Sequence, residues 1–331
     1  MKTGSRFKQM LAASLMLTAA RFFAMVASPI AIDGRIPLGA VGGRIDHLAV
    51  DLDRQRLFVA ELGNNTVGVI DLKERKVIRR ITGLREPQGV AWHAPTETLY
   101  VANGGDGSVR LYSGPELTAR TQIDLGDDAD NIRIDAKGAR LYVGYGKGAI
   151  AIIDPAKPAK IGDIKLEAHP EGFQLDRSGK LIYVNLPNAR KVTVADLAQG
   201  KVILGVPMNQ ARSNFPMAID HDRQRILSVF RNPPKLIALA VDGSVIASVD
   251  VCGDSDDVFV DAKRRRTYVS CGEGSVDVLD MQESAYVRIG QVRTVSGART
   301  SLWVPELDRL FVAARATASE PAAIWVLRPG P

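Results

Sequence analysis

The stretch Leu99-Tyr100-Val101-Ala102-Asn103 recurs along the chain at nearly constant intervals. Most of the equivalent segments begin with Leu or Ile followed by Tyr or Phe, and their shared valines stand at positions 59, 101, 143, 184, 229, 269 and 312. The steps between these valines are 42, 42, 41, 45, 40 and 43 residues. Self-similarity at a period near 42 indicates a repeat architecture. The chain therefore contains seven units of one design.

Each unit is predicted to form four short strands. The first strand carries an apolar column that reads Val50, Trp92, Ile134, Leu175, Ile219, Val260 and Trp303, and the valine segment is the second strand. Third strands such as Val67 to Asp71 follow Gly-rich or Asn-rich pairs that suit tight hairpins, and a fourth lies at Val77 to Ile81. Seven four-stranded antiparallel units predict an all-β fold, a seven-bladed β-propeller, which leaves only short sheet edges.

The two ends of the chain predict how the ring closes. The last unit ends near Leu327 and lacks a fourth strand, whereas the segment Ile30 to Leu38 precedes the first unit and has no unit of its own. We expect Ile30 to Leu38 to be the outer strand of the seventh blade. This closure would join the two chain ends in one sheet.

The N-terminal segment resembles a secretory signal. Lys2, Arg6 and Lys8 precede an apolar run from Met10 to Ala20, and small residues suited to cleavage follow. We predict a signal peptide over residues 1–27 and a propeller over residues 28–331, in a periplasmic or secreted protein; an uncleaved anchor is the alternative. Removal of residues 1–27 leaves 39 basic and 37 acidic residues, and no stable membrane span is expected in the mature chain.

The repeat sequences resemble those of the YVTN family of seven-bladed β-propellers. The segments Leu99 to Asn103 and Val67 to Asp71 carry this resemblance, which covers nearly all of residues 30–327. The resemblance implies the propeller fold. It is weak for activity, because members of this group and the related lactonase-type propellers serve as binding surfaces, surface proteins or enzymes.

Polar residues form two adjacent columns where the first strands begin. The first reads Asp46, Gln88, Asp130, Glu171, Phe215, Asp256 and Arg299, and the second reads His47, Gly89, Asn131, Gly172, Pro216, Asp257 and Thr300. In a propeller these positions converge on one mouth of the central channel. We predict a ligand site there, formed by Asp46, His47, Gln88, Asp130, Asn131, His169, Glu171, Asp256, Asp257 and Arg299. A solvated ring of loop ends is the competing interpretation.

The only cysteines, Cys252 and Cys271, fall at the end of blade five and at the end of the second strand of blade six. Both ends should lie on the face that carries the polar columns, and an exported protein meets an oxidising compartment. A disulfide is the favoured interpretation, and two buried free thiols are the alternative.

Two function classes fit these residues. The first is a non-catalytic binding or assembly module that presents the channel mouth to a small polar ligand, a peptide or a protein. The second is a lactonase-like hydrolase in which Arg299 or a divalent cation polarises a carbonyl group and His47 or Glu171 activates water. The binding class is favoured and the enzyme class stays open; no cofactor or metal is predicted with a definite ligand set. Near-neutral charge and few aromatic residues argue against nucleic-acid binding.

Overall fold

The computed structural model of the protein describes residues 28–331, so the predicted signal peptide over residues 1–27 lies outside the described residues. The described chain forms seven four-stranded antiparallel sheets. The first strand of each sheet contacts the first strand of the next, and that of the seventh contacts that of the first. The predicted all-β, seven-bladed propeller is therefore confirmed.

The strands follow chain order within each blade, except that β1 belongs to blade seven. Blade one holds β2 Leu48–Asp51, β3 Arg56–Glu61, β4 Thr66–Asp71 and β5 Lys76–Ile81; blade two holds β6 Pro87–His93, β7 Thr98–Asn103, β8 Ser108–Ser113 and β9 Thr118–Asp124; blade three holds β10 Ala129–Ile134, β11 Leu141–Tyr145, β12 Ala149–Asp154 and β13 Ala159–Lys165. Blade four holds β14 Phe173–Leu175, β15 Leu181–Leu186, β16 Lys191–Asp196 and β17 Lys201–Pro207; blade five holds β18 Arg212–Asp220, β19 Arg225–Asn232, β20 Pro234–Ala240 and β21 Val245–Asp250. Blade six holds β22 Ser255–Asp261, β23 Arg266–Cys271, β24 Ser275–Met281 and β25 Tyr286–Arg293; blade seven holds β26 Ser301–Val304, β27 Arg309–Ala314, β28 Ala323–Pro329 and β1 Ile30–Pro37. Single 3-10 turns cover Leu62–Asn64, Ala94–Thr96 and Pro305–Leu307.

The repeat valines lie in the core between blades. All seven are completely buried, from Val59 in β3 to Val312 in β27. The apolar clusters span neighbouring blades; one of them joins Tyr268 of blade six to Trp303 of blade seven, whose rings meet edge to face 5.3 Å apart. Because each blade buries its faces against two neighbours, closure of the ring adds to its stability.

The predicted closure by the N-terminal segment is confirmed. Strand β1 pairs antiparallel with β28 from Ile30 opposite Pro329 to Pro37 opposite Ala323. Ile30 packs into the cluster shared with blade six, and Ile36 packs into the cluster shared with blade one. A single strand thus joins the chain ends and both neighbouring blades.

A basic run, Lys263 to Arg266, lies in the first hairpin of blade six and stabilises this closure through contacts with blade seven and the chain ends. Arg264 donates two hydrogen bonds to the Asp308 carboxylate at 2.6 and 2.7 Å and one to the carbonyl of Gly330. Arg266 donates to the carbonyls of Pro29 and Gly330. These guanidinium groups therefore serve as structural ties between blades six and seven.

The first strands run side by side around the channel, with their N-terminal ends at one mouth. This arrangement brings the two polar columns to a single opening. Between Ser28 and Pro331 there is no helix long and apolar enough to cross a membrane.

Candidate functional site

Four of the first strands contain an extra residue at the channel mouth. The register against the second strand shifts between Pro87 and Val90, Ala129 and Ile132, Asn214 and Met217, and Ser255 and Asp257. Such β-bulges bend a strand and re-aim its side chains. The bulges explain why adjacent residues of one strand both contribute polar groups to the channel, against the simple alternation of a regular strand.

The channel mouth is a cavity of about 850 Å³, lined mainly by polar side chains. Six of the ten predicted site residues line it, namely Gln88, Asp130, His169, Glu171, Asp256 and Arg299. The other four lie deeper: His47 and Asn131 line a small space beneath the cavity, Asp257 lines the channel farther down, and Asp46 is buried beside them. The predicted residues thus occupy two layers of one channel.

The deeper layer, here called the floor, is a cluster of Arg44, Asp46, His47 and Asp257. Arg44 Nη2 lies 2.8 Å from Asp46 Oδ2. His47 lies between two carboxylates, with Nε2 3.7 Å from Asp46 Oδ1 and Nδ1 3.6 Å from Asp257 Oδ2. Asp257 Oδ2 also accepts a hydrogen bond from the Ser301 amide at 2.8 Å. The cluster separates the mouth cavity from the lower channel.

The floor groups hold unusual protonation states. Burial alone would lower the pKa of His47, but Asp257 and then Asp46 raise it to about 10, so the imidazole carries a charge at neutral pH. Burial raises the pKa of Asp46 to about 7, although His47 and Arg44 act in the opposite direction. The charges of the floor residues therefore compensate one another, and the protonated His47 is not available as a base.

The wall formed by blades five to seven carries arginines whose charges are paired with carboxylates of the same wall. Arg231 Nη2 lies 2.7 Å from Asp256 Oδ1, and Arg299 Nη1 lies 2.9 Å from Asp254 Oδ1. The Arg231 guanidinium also stacks 3.7 Å above the Phe215 ring. Burial raises the pKa of Asp256, while Arg231, His47 and Arg299 oppose the rise. These contacts leave little positive charge on this wall for a ligand.

The opposite wall, from blades three and four, is acidic and incompletely paired. His169 Nδ1 hydrogen bonds to the Gly146 carbonyl at 2.6 Å, and its Nε2 lies 3.9 Å from Asp130 Oδ2. Burial lowers the pKa of His169, but Asp130, the Gly146 carbonyl and Asp128 together raise it to about 9. Among the described residues no Lys, Arg or His lies within ion-pair distance of the Glu171 carboxylate. Its pKa is raised to about 8 by burial and by repulsion from Asp130 and Asp256.

Arg231 is the main site residue that the two columns missed. It lies two residues after the repeat valine of blade five, at the end of a second strand rather than a first. The equivalent residues of the other blades are Glu61, Asn103, Tyr145, Leu186, Cys271 and Ala314. Arg231 is the single arginine among these seven equivalent positions, and this exception is the sequence feature that could have identified it. Glu86, Lys147, Glu167 and Asn188 also line the cavity from loops that show no repeat pattern.

Cys252 and Cys271 are joined by a disulfide, with Cα atoms 5.8 Å apart. The bridge links the segment leading into β22 to the end of β23. Asp254 and Asp256 lie between its ends. The disulfide therefore holds the loop that supplies the carboxylate partners of Arg231 and Arg299.

The cavity offers carboxylates without a preformed metal geometry. Over residues 28–331, no group of three or more His, Cys, Asp and Glu side chains is arranged to hold a metal ion. His47 and His169 belong to different layers, so the two imidazoles do not converge on one point. What the mouth presents is an acidic wall facing a wall of paired arginines.

Two solved structures share this fold. A chain of the hydrazine synthase of Kuenenia stuttgartiensis is 18% identical with a TM-score of 0.74, and the similarity covers 87% of this chain and 100% of that one. A chain of a mitotic checkpoint complex is 14% identical with a TM-score of 0.78, over 98% of this chain and 99% of that one. At these identities the likeness shows the fold alone. No protein-family model and no curated protein sequence matches this chain.

Proposed function

We propose that this protein is an exported, non-catalytic binding propeller whose channel mouth takes a polar ligand through a cationic group, an ammonium or a guanidinium. The observation that carries this proposal is the Glu171 carboxyl, which faces the mouth cavity, has no cationic partner in ion-pair contact among residues 28–331, and has a pKa near 8. A buried carboxylate without a counterion favours either a proton or a bound cation.

The charges of the cavity support a cation rather than an anion. Seven Asp and Glu side chains line it, against four Lys and Arg side chains and His169, whose pKa is about 9. Three of the four Lys and Arg side chains are arginines in ion pairs with Asp46, Asp254 or Asp256. On the opposite wall Asp130 lies 3.9 Å from His169, whereas the Glu171 carboxyl has no cationic partner in ion-pair contact among residues 28–331. Glu171 is therefore the acidic group that a bound cation would pair with. A cavity of about 850 Å³ is also large enough for a small organic molecule or a peptide side chain.

The ionisation of Glu171 offers a second test of the proposal, because the release of a proton on binding can be measured along with the affinity. At pH 7 its carboxyl is mostly protonated, because its pKa is about 8. A bound ammonium group stabilises the carboxylate, so binding should release a proton, and affinity should rise as pH increases toward 8. Isothermal titration in buffers of different ionisation enthalpy measures this release.

The experiment compares primary diamines with their acetylated, uncharged forms, and arginine-containing peptides with citrulline-containing ones. Glu171→Gln should weaken the cationic probes about tenfold or more and abolish the proton release. Glu306→Gln, in the Pro305–Leu307 turn away from the mouth, is the matched control and should change neither. Equal affinity for charged and uncharged probes, or unchanged binding by Glu171→Gln, contradicts the proposal. The diamine and peptide arms distinguish a small ligand from a protein partner.

The proposed export rests on the signal-like pattern of residues 1–27 and on the disulfide of blade six, which suits an oxidising compartment. We therefore place the mature protein in the periplasm or outside the cell. The resemblance to YVTN-type propellers belongs to the same proposal. N-terminal mass spectrometry of material from the periplasmic fraction should find a chain that starts near residue 28; an intact Met1 there contradicts cleavage.

One observation favours the hydrolase alternative. A carboxyl with a pKa near 8 can exchange a proton close to neutral pH, so Glu171 is able to act as an acid or a base across the cavity from Arg299. His47 does not fit its role in that scheme, because its pKa near 10 keeps it protonated. Turnover of a panel of sugar lactones, with and without added divalent cations, tests this alternative, and activity would have to be lost in Glu171→Gln.

A further inference from the structure

The channel contains a second cavity below the floor, with different chemistry from the mouth. It has a volume of about 430 Å³. Its walls come from the next channel-facing column of the first strands, two residues beyond the floor positions: Ala49, Ala91, Arg133, Gln174, Phe259 and Leu302. The cavity extends along these strands to Val50, Trp92 and Ile134, toward the face opposite the mouth. A ligand in this space would enter from that opposite face.

Arg133 is the one charged residue of this column. Its Nη1 donates a hydrogen bond to the Ile132 carbonyl at 2.8 Å, and its Cζ lies 5.5 Å from the Phe173 ring centre. Within residues 28–331 its guanidinium has no other hydrogen bond and no salt bridge. Because a guanidinium carries five N–H donors, most of the donor capacity of Arg133 remains available in a largely apolar space. Arg133 is only partly exposed, and a guanidinium partly withdrawn from water without a contacting anion favours the binding of one.

The other charged groups of this cavity compensate each other. His47 and Asp257 lie at its upper end with Nδ1 and Oδ2 3.6 Å apart. Asp257 also accepts the Ser301 amide, so its charge is held at the floor. Gln174 is neutral, and its amide donates to the Met217 carbonyl at 3.0 Å. Asp257 and Asp130 attract Arg133 from a distance, but within residues 28–331 neither is in ion-pair contact with it, so Arg133 is the charged group of the lower cavity without a contacting partner.

We propose that the lower channel is a second binding site, selective for a small monocarboxylate with an apolar body, whose carboxylate pairs with Arg133. A planar carboxylate matches the guanidinium fork in a bidentate geometry. A doubly charged phosphate group would bring a second negative charge into an apolar tube that holds no second free cation. This site is independent of the mouth, because it lies on the other side of the floor and needs the opposite ligand charge.

The walls define the size and the body of that ligand. A volume of about 430 Å³ lies at the lower end of the range of small-molecule pockets. Alanine at positions 49 and 91 keeps the tube open, whereas Trp92 and Phe259 offer aromatic surface. An aromatic or short aliphatic body therefore fits these walls, and a sugar does not match their few polar groups.

The test uses 4-phenylbutyrate and its uncharged amide, 4-phenylbutanamide, as probes on the intact protein. Trp92 lines the cavity, so its fluorescence reports occupancy, and isothermal titration measures affinity. We expect the carboxylate to bind about tenfold or more tightly than the amide, since the pairing with Arg133 is charge-assisted. Equal binding of acid and amide, or binding of neither at millimolar concentration, overturns the proposal without any variant.

Variants then assign the preference to Arg133. Arg133→Gln should remove the preference for the carboxylate while leaving amide binding nearly unchanged. Arg140→Gln, an exposed arginine of the same blade, is the matched control and should retain the preference. A preference that survives in a folded Arg133→Gln protein overturns the assignment. Glu171→Gln should not affect these probes, so the mouth proposal and this one can fail separately.

Discussion

The charge of His47 at the floor predicts a steep loss of stability in mildly alkaline solution. Its pKa is about 10 in the folded protein, against 6.5 for an ordinary histidine. The folded state therefore binds one more proton than the unfolded state between these two values. The resulting stabilisation is complete below about pH 6.5 and is lost as the pH rises to about 10. At about 1.4 kcal/mol per pKa unit, the contribution is about 4–5 kcal/mol.

Urea denaturation monitored by tryptophan fluorescence, in steps from about pH 6.5 to about pH 10, measures this loss. His47→Gln should be less stable at pH 7 and should show a flatter dependence on pH, because it removes one of the groups that titrate in this range; His169, with a pKa of about 9, and Glu171, with a pKa of about 8, account for the dependence that remains. His221→Gln is the control: His221 lies in a turn of blade five, and its pKa is lowered by burial and by Arg177. That variant should follow the wild-type curve above pH 7. Parallel curves for the wild type and His47→Gln would refute a charged His47.

Three further predictions concern the closure of the ring and the disulfide of blade six, each read as a change in the free energy of unfolding in urea. Ile36→Ala should cost about 2–5 kcal/mol, whereas Ile32→Ala in the same strand should change stability by less than about 0.5 kcal/mol, because Ile36 is 1% exposed and Ile32 is 44% exposed. Arg264→Ala should cost about 2 kcal/mol through the lost bidentate pair with blade seven, and Lys263→Ala, an exposed neighbour, should be nearly neutral. Reduction of the disulfide, which spans 19 residues, should cost about 3 kcal/mol and expose two thiols to titration under denaturing conditions; two titratable thiols before reduction would contradict the bridge.

Fold and closure could be predicted because they depend on features that repeat. A valine that returns seven times, in five units directly after an apolar pair, indicates burial between blades without any knowledge of side-chain contacts. The last unit lacks a fourth strand, and the segment before the first unit has no unit of its own. Each of these two features therefore indicates where the other belongs. Each of these features is a property of the chain order, so the amino-acid sequence contains it directly.

The candidate site was less predictable because it depends on deviations from the repeat. The columns identified residues that lie at the channel, but they placed Asp46, His47 and Glu171 in one ring, whereas the structure puts the first two in the floor and the third in the mouth. The bulges that cause this stagger are set by the pairing of two strands, which the spacing of one strand does not reveal. Arg231 came from the second strand of its blade, and its partner Asp256 lies in the next blade.

Close backbone packing explains why so few side chains form the floor. A Cβ atom at Gly89 would lie 2.1 Å from the Asp130 carbonyl oxygen, and one at Gly172 would lie 2.4 Å from that of Phe215. Side chains at these two positions would force neighbouring blades apart, so the floor must draw its chemistry from the other blades. His47 is then the only cation of its column, and Asp257 has no other cationic partner in ion-pair contact among residues 28–331. Loss of the His47 charge would leave that carboxylate uncompensated, so His47 should contribute to the alkaline loss of stability together with His169, whose pKa of about 9 also lies above that of an ordinary histidine.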